Sequence, residues 1–161
     1  DYSRNPQVLK RLSETTGVHV IMVTGYIKAA SADKFVENKS VNNLSDELVK
    51  DIEEGVNDTG IKAGLLKAGS SLNRISHNEE KILRAAARAQ RETEALISTH
   101  TEAGTMALEQ IAIFKEEGVP PEKILIGHLD RKLDYDYHLE IAKTGVSLGY
   151  DQFSKEKYAP D

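Results

Sequence analysis

Short apolar runs alternate along the chain with longer amphipathic stretches, at a spacing of roughly thirty residues. Gly17-Val-His-Val-Ile-Met-Val-Thr24, with residues 62–68, 95–99, 123–127 and 146–150, read as five strands rich in Val, Ile and Leu. Between them lie helical patterns. Residues 5–15 form the first. Ser45, as N-cap, with Glu47 and Glu53, opens the second. The third runs over 78–91, where Ile82, Leu83, Ala86 and Ala89 recur at helical spacing. The fourth covers 104–117, with Met106, Leu108, Ile111 and Phe114 as its buried stripe, and the fifth covers 135–143. The polar stretch 28–43 reads as a long loop, and Pro120-Pro121 breaks the chain before the fourth strand.

Strands alternating with helices imply an α/β fold whose parallel sheet is joined by right-handed crossovers. Continuous apolar strands predict burial on both faces of that sheet. Two architectures fit. One is a doubly wound domain complete in 161 residues. The other is part of a (β/α)8 TIM barrel, which takes about 250 residues. The chain starts at Asp1 and stops at Ala159-Pro160-Asp161, soon after a strand. We therefore expect residues 1–161 to be a partial barrel domain, truncated at both ends.

Composition narrows the chemistry. Cysteine is absent, which excludes disulfides, thiolate metal sites and a cysteine nucleophile. The net charge of −5 argues against nucleic acid or an anionic membrane surface as partner. No apolar run approaches the ~20 residues of a membrane span. There is no Gly-x-Gly-x-x-Gly or Walker-type loop, and no Gly-x-Ser-x-Gly elbow.

What remains is a trio at the ends of three strands: Lys67, His100 and His128. The C-terminal edge of a parallel sheet is where ligands bind. A single histidine there is more often a satisfied structural one. Two, with a lysine on a third strand, point to a metal site, because neutral imidazole is the commonest metal ligand. Thr101, Glu102 and Asp130 are near enough in sequence to orient the rings. Lys67, flanked by Leu65-Leu66 and Ala68-Gly69, is expected to be largely buried, which favours its neutral amine. Such an amine can form a Schiff base or take up CO2 as a carbamate. It can also simply snorkel to solvent. His19 reads as structural within the first strand, and His77 and His138 as solvated. Asp46, Glu47, Glu53 and Glu54 read as a solvated helix face. After the last strand, Lys155, Lys157 and Tyr158 could hold a phosphate or carboxylate.

At these residues the chain resembles the phosphotriesterase family of the amidohydrolase superfamily. The resemblance runs nearly end to end. It is carried by Val23-Thr-Gly25, Thr59-Gly-Ile-Lys-Ala-Gly-Leu-Leu-Lys67, Glu79-Glu-Lys81, Arg84-Ala-Ala-Ala-Arg88, Thr99-His-Thr-Glu102, Gly104-Thr-Met-Ala-Leu-Glu-Gln110 and Ile126-Gly-His-Leu-Asp130. It implies a (β/α)8 barrel, of which this chain covers roughly strands three to seven. It implies two divalent metals, zinc in first place, with manganese, cobalt or iron as alternatives. Lys67 matches the carboxylated lysine that bridges the metals. His100 and His128 match the two histidines of the more exposed metal. The family's strand-one His-x-His pair and strand-eight aspartate have no counterpart here. The implied reaction is attack of a metal-bridging hydroxide on a lactone, foremost a phosphorylated sugar lactone. Lys155, Lys157 and Tyr158 would hold the phosphate, and Tyr26 would contact substrate. Organophosphate and aryl ester hydrolysis is the family alternative, and a non-catalytic α/β binding domain is the reading outside it. Ile27 stands where an aromatic is expected, and Gln152 where homoserine lactonases have arginine. Both weaken a quorum-signal lactonase. A small-molecule substrate, a homodimer and a cytoplasmic location complete the expectation.

Overall fold

A computed structural model of the chain describes residues 4–153, so Lys155, Lys157 and Tyr158 lie outside the described residues. Five strands form one sheet: β1 (Val23–Gly25), β2 (Leu65–Ser70), β3 (Leu96–Thr101), β4 (Ile124–Ile126) and β5 (Ser147–Leu148). Their order in space is their order in sequence, and every neighbouring pair is parallel. Six α-helices accompany them: α1 (Pro6–Thr16), α2 (Ala29–Val36), α3 (Val41–Glu53), α4 (His77–Thr93), α5 (Ala107–Glu116) and α6 (Tyr135–Lys143). A doubly wound sheet reverses its strand order at a switch point. This one does not. With right-handed crossovers, an unreversed order places every connecting helix on the same face of the sheet. That is the winding of a (β/α)8 barrel, here seen over five strands, and it disfavours the doubly wound alternative.

The two faces differ. Leu66, Ala68, Ile97, Ile124 and Ile126 are almost fully buried and pack in one core with Leu44, Leu48, Ile82, Leu83, Ala86 and Phe114 of the helices. The alternate residues Leu65, Lys67, Leu96, Ser98, His100 and Leu125 are only half-buried. Strand side chains alternate between faces, so this second set lines the side away from the helices. The expected burial on both faces is thus corrected: apolar continuity reflects one dry face and one half-open face that carries the polar trio.

Helix starts are set by side-chain caps. Ser76 accepts from Glu79 N while Glu79 accepts from Ser76 N at 2.8 Å, a reciprocal capping box that opens α4. Glu79 is fully buried and also receives the Ser71 hydroxyl at 2.6 Å. Gly17, at φ 74°, closes α1 in the left-handed region.

Several expectations change at this level. The first strand is three residues long, because β1 pairs with β2 only from Val23↔Leu65 onward. Val18, Val20 and Ile21 before it are exposed, and so is His19, which is therefore not a buried strand residue. The polar stretch 28–43 is not a loop. It holds α2, whose Ala32 and Val36 bury one helical turn apart, and the first turn of α3. Ser40, not Ser45, caps α3 by accepting from Asn43 N, and Ser45 is buried inside the helix. Met106 lies ahead of α5, as its N-cap. Asp46, Glu47, Glu53 and Glu54 are exposed, and so is His77, as the pattern predicts. His138 is not simply solvated: its Nε2 lies 3.0 Å from Leu129 O and its Nδ1 3.2 Å from Tyr150 Oη. Among the described residues no helix is long and apolar enough to cross a membrane.

Candidate metal centre

The register of β2 and β3 pairs Lys67 with Ser98 and Gly69 with His100. Lys67 and His100 therefore share the half-open face, one pleat apart on neighbouring strands. Gly25 pairs with Lys67 at the end of β1. A Cβ on Gly25 would fall 2.1 Å from Lys67 O, and its φ is +119°, so only glycine lets the strands close there. The Lys67 ammonium donates to Thr99 O at 3.0 Å and approaches Ser98 Oγ at 3.4 Å. Burial lowers the Lys67 pKa, with the Asp151 carboxylate opposing the shift.

His128 follows β4 in the left-handed region, at φ 65°, and its ring meets that of His100 edge-on, with centroids 4.8 Å apart. Burial is the main reason the His100 pKa falls to about 4, helped by His128, Lys67 and Lys28 nearby. His100 is therefore neutral at pH 7. Its Nε2 is buried and has no hydrogen-bond partner. An orphaned buried nitrogen is costly unless something else takes its lone pair.

His128 is held differently. Its Nδ1 lies 2.7 Å from Asp151 Oδ1, and the same oxygen accepts from the His128 backbone N at 3.1 Å. A carboxylate only accepts, so the proton of this contact sits on Nδ1, and in the neutral ring Nε2 is the nitrogen that carries the lone pair. Asp151 is the partner of His128 that sequence reasoning missed. The signal was available: it follows the β5 segment at the same sheet edge as the trio. The three expected helpers bond elsewhere. Thr101 Oγ1 donates to Gly127 O at 2.7 Å, Glu102 takes the Lys28 ammonium at 2.6 Å and Leu72 N at 3.0 Å, and Asp130 takes Gln152 N at 2.8 Å. The chemistry of this donor set fits a metal: the neutral His100 imidazole with a free lone pair, the His128 imidazole with its Nδ1 turned to Asp151, and a buried lysine able to become an oxygen donor. Among the described residues no group of three or more His, Cys, Asp or Glu could hold a metal ion; the cluster here consists of two histidines and Lys67.

Tyr26 is not brought into the cluster. Its backbone N donates to Lys67 O at 3.0 Å, but its ring packs against the core and its phenol's charged neighbours are Lys39, Glu47, Asp51 and Arg4. Burial raises its pKa. A cavity of about 480 Å³ lies between Tyr26, Lys67, Thr24 and Asp51, the last held by Arg4 at 2.9 Å.

The sequence profile of the Phosphotriesterase family matches residues 1–161. The chain is 35% identical over 158 residues to an aryldialkylphosphatase of Saccharolobus solfataricus, covering 98% of this chain and 50% of that protein. It is 38% identical over 160 residues to a phospho-furanose lactonase of Mycoplasmopsis synoviae, covering 90% and 45%. Among solved structures, a lactonase from Listeria monocytogenes superposes with a TM-score of 0.90 at 39% identity, over 98% of this chain and 53% of that one. The chain thus spans about half the length of the relatives it matches. With the unreversed barrel winding and the lysine–histidine cluster at its edge, these matches place the chain in the phosphotriesterase family.

Proposed function

We propose that this chain supplies the lysine and two of the histidines of a metal-dependent hydrolase that opens lactone rings, with phosphorylated sugar lactones as its substrate class. The observation that carries the reading is the buried, unpartnered Nε2 of His100 beside the His128 ring. Lys67, His100 and His128 would hold two divalent metals, zinc first, since imidazole and carbamate donors suit it and also admit manganese, cobalt or iron. When bound, such metals generate a water-derived nucleophile near neutral pH and polarise the scissile carbonyl.

The residues' own parts follow. Once its ammonium has given up a proton to solvent, which burial favours, the Lys67 amine adds to CO2: a C–N bond forms, a C=O π pair moves to oxygen, and a second N–H proton leaves to solvent. The product is an anionic carbamate with two oxygen donors. Asp151 keeps the His128 proton on Nδ1 and so fixes which nitrogen is free. Ring opening adds water across the acyl C–O bond. Lys155, Lys157 and Tyr158 would anchor the substrate phosphate, turning remote binding energy into orientation.

Two of the relatives described above carry lactonase names, which supports the lactone reading. The aryldialkylphosphatase likeness favours a second reading, organophosphate ester hydrolysis in the same site. A substrate panel separates them: a phosphorylated furanose lactone, its unphosphorylated counterpart, and an aryl dialkyl phosphate. We expect the phosphorylated lactone to lead by at least about tenfold in kcat/KM, with Lys155→Ala and Lys157→Ala lowering that activity alone. A lead for the aryl dialkyl phosphate, or equal losses on both lactones, would overturn the assignment.

A further inference from the structure

The two histidines stand where the pairing between β3 and β4 has run out. The β3–β4 ladder ends at Ser98↔Leu125, and His100 and His128 lie two and three residues beyond it. Past that point side chains take over the strands' carbonyls. Lys67 donates to Thr99 O, Gln110 to His100 O at 2.9 Å, and Thr101 to Gly127 O at 2.7 Å. The last contact is distinctive. Thr101 immediately follows His100, and Gly127 immediately precedes His128. One hydrogen bond, from the hydroxyl of a residue only 1% exposed, therefore ties the neighbours of both histidines where no β3–β4 ladder pairing does. The approach is close: a Cβ on Gly127 would lie 2.7 Å from Thr99 O.

We propose that Thr101 is a positioning residue, its hydroxyl bond to Gly127 setting the separation of the His100 and His128 rings. This rests on the reading of both histidines as metal holders, but its geometric part stands without a metal. Gln110 supports it from the other side. It is fully buried, and its Nε2 also donates to Ser70 Oγ at 2.6 Å, so it pins His100 O to the end of β2.

The strand carries its own control. Thr99, two residues earlier on the same face, is equally buried, yet its hydroxyl has no hydrogen-bond partner. Thr99→Val and Thr101→Val remove the same hydroxyl at the same depth, and Thr101→Ser restores the donor. Two readouts in the purified full chain separate the outcomes. One is zinc affinity by chelator competition. The other is the inter-ring NOE between His100 and His128 in metal-free, histidine-labelled protein.

We expect Thr101→Val to weaken zinc binding about tenfold and diminish the NOE, as loss of outer-sphere support does. Thr99→Val and Thr101→Ser should keep both near wild type. An unchanged NOE in Thr101→Val, or an equal loss in Thr99→Val, would overturn the proposal. If wild type binds no zinc while the NOE still depends on Thr101, the positioning role stands and the metal reading fails. Should Thr101→Val not fold, Thr101→Cys, whose thiol is a weak donor, supports the same comparison with a smaller expected loss.

Discussion

At the scale of residues, His100 and His128 have the same ring and opposite surroundings. His128 has a carboxylate 2.7 Å from Nδ1, whereas His100 has a buried nitrogen with nothing to bond. Two predictions follow from that contrast. Asp151→Asn keeps the shape but removes the negative charge that favours the Nδ1 proton. Zinc affinity, read by titration, should fall roughly 10- to 100-fold, the usual effect of losing a histidine's outer partner. Undiminished affinity would mean that Asp151 serves only the backbone of His128. The second prediction concerns pH. The folded His100 pKa is lowered from about 6.5 to about 4. Between those values the unfolded chain takes up a proton that the folded chain refuses. The stability that depends on a neutral His100 is therefore complete above about pH 6.5 and is lost progressively as pH falls toward 4. In metal-free protein, urea titrations across that window should show a shallower decline for His100→Asn than for wild type. Parallel curves would contradict the burial of the ring.

Elements form where local chemistry and burial agree, and that agreement decides what could be read from the sequence. α4 was legible because Ile82, Leu83, Ala86 and Ala89 recur and bury on one stripe, while the Ser76–Glu79 box that caps it emerged only from the structure. We expect Ser76→Ala to cost about 1 kcal/mol in urea unfolding, since it releases both the Glu79 N donor and the reciprocal bond. A loss within a few tenths of a kcal/mol would show the box to be redundant. α2 was illegible because two buried residues, Ala32 and Val36, make too faint a periodicity against Lys28, Asp33 and Lys34. β1 failed the other way. Its apolar run looks like a buried strand, but pairing exists for only three residues, and without a partner a run of valines stays exposed. β2 and β3 were legible because each has neighbours on both sides.

For the whole molecule, the strand order decides more than any single contact. Five parallel strands in unreversed order bring the ends of β2, β3, β4 and β5 to one edge, and with them Lys67, His100, His128 and Asp151. The first three were legible because a polar residue within or just after a short apolar run is conspicuous, although Lys67 sits inside β2 and does not close it. Asp151 was not, because β5 is two residues long and its apolar signal is weak. Tyr26 shows the limit of placement by sequence neighbourhood. It follows Gly25 at the sheet edge that carries the trio, yet its ring packs with the core. The face that carries the trio is also the half-buried one, while the other face of the same strands is dry.

The central claim is that Lys67, His100 and His128 act together as one metal centre. The most direct measurement is the metal content of the purified protein beside that of Lys67→Ala prepared identically. The account predicts bound divalent metal in wild type and a loss of most of it in the variant, because the carbamate is the only oxygen donor the trio can offer. Full metal retention in Lys67→Ala would contradict it.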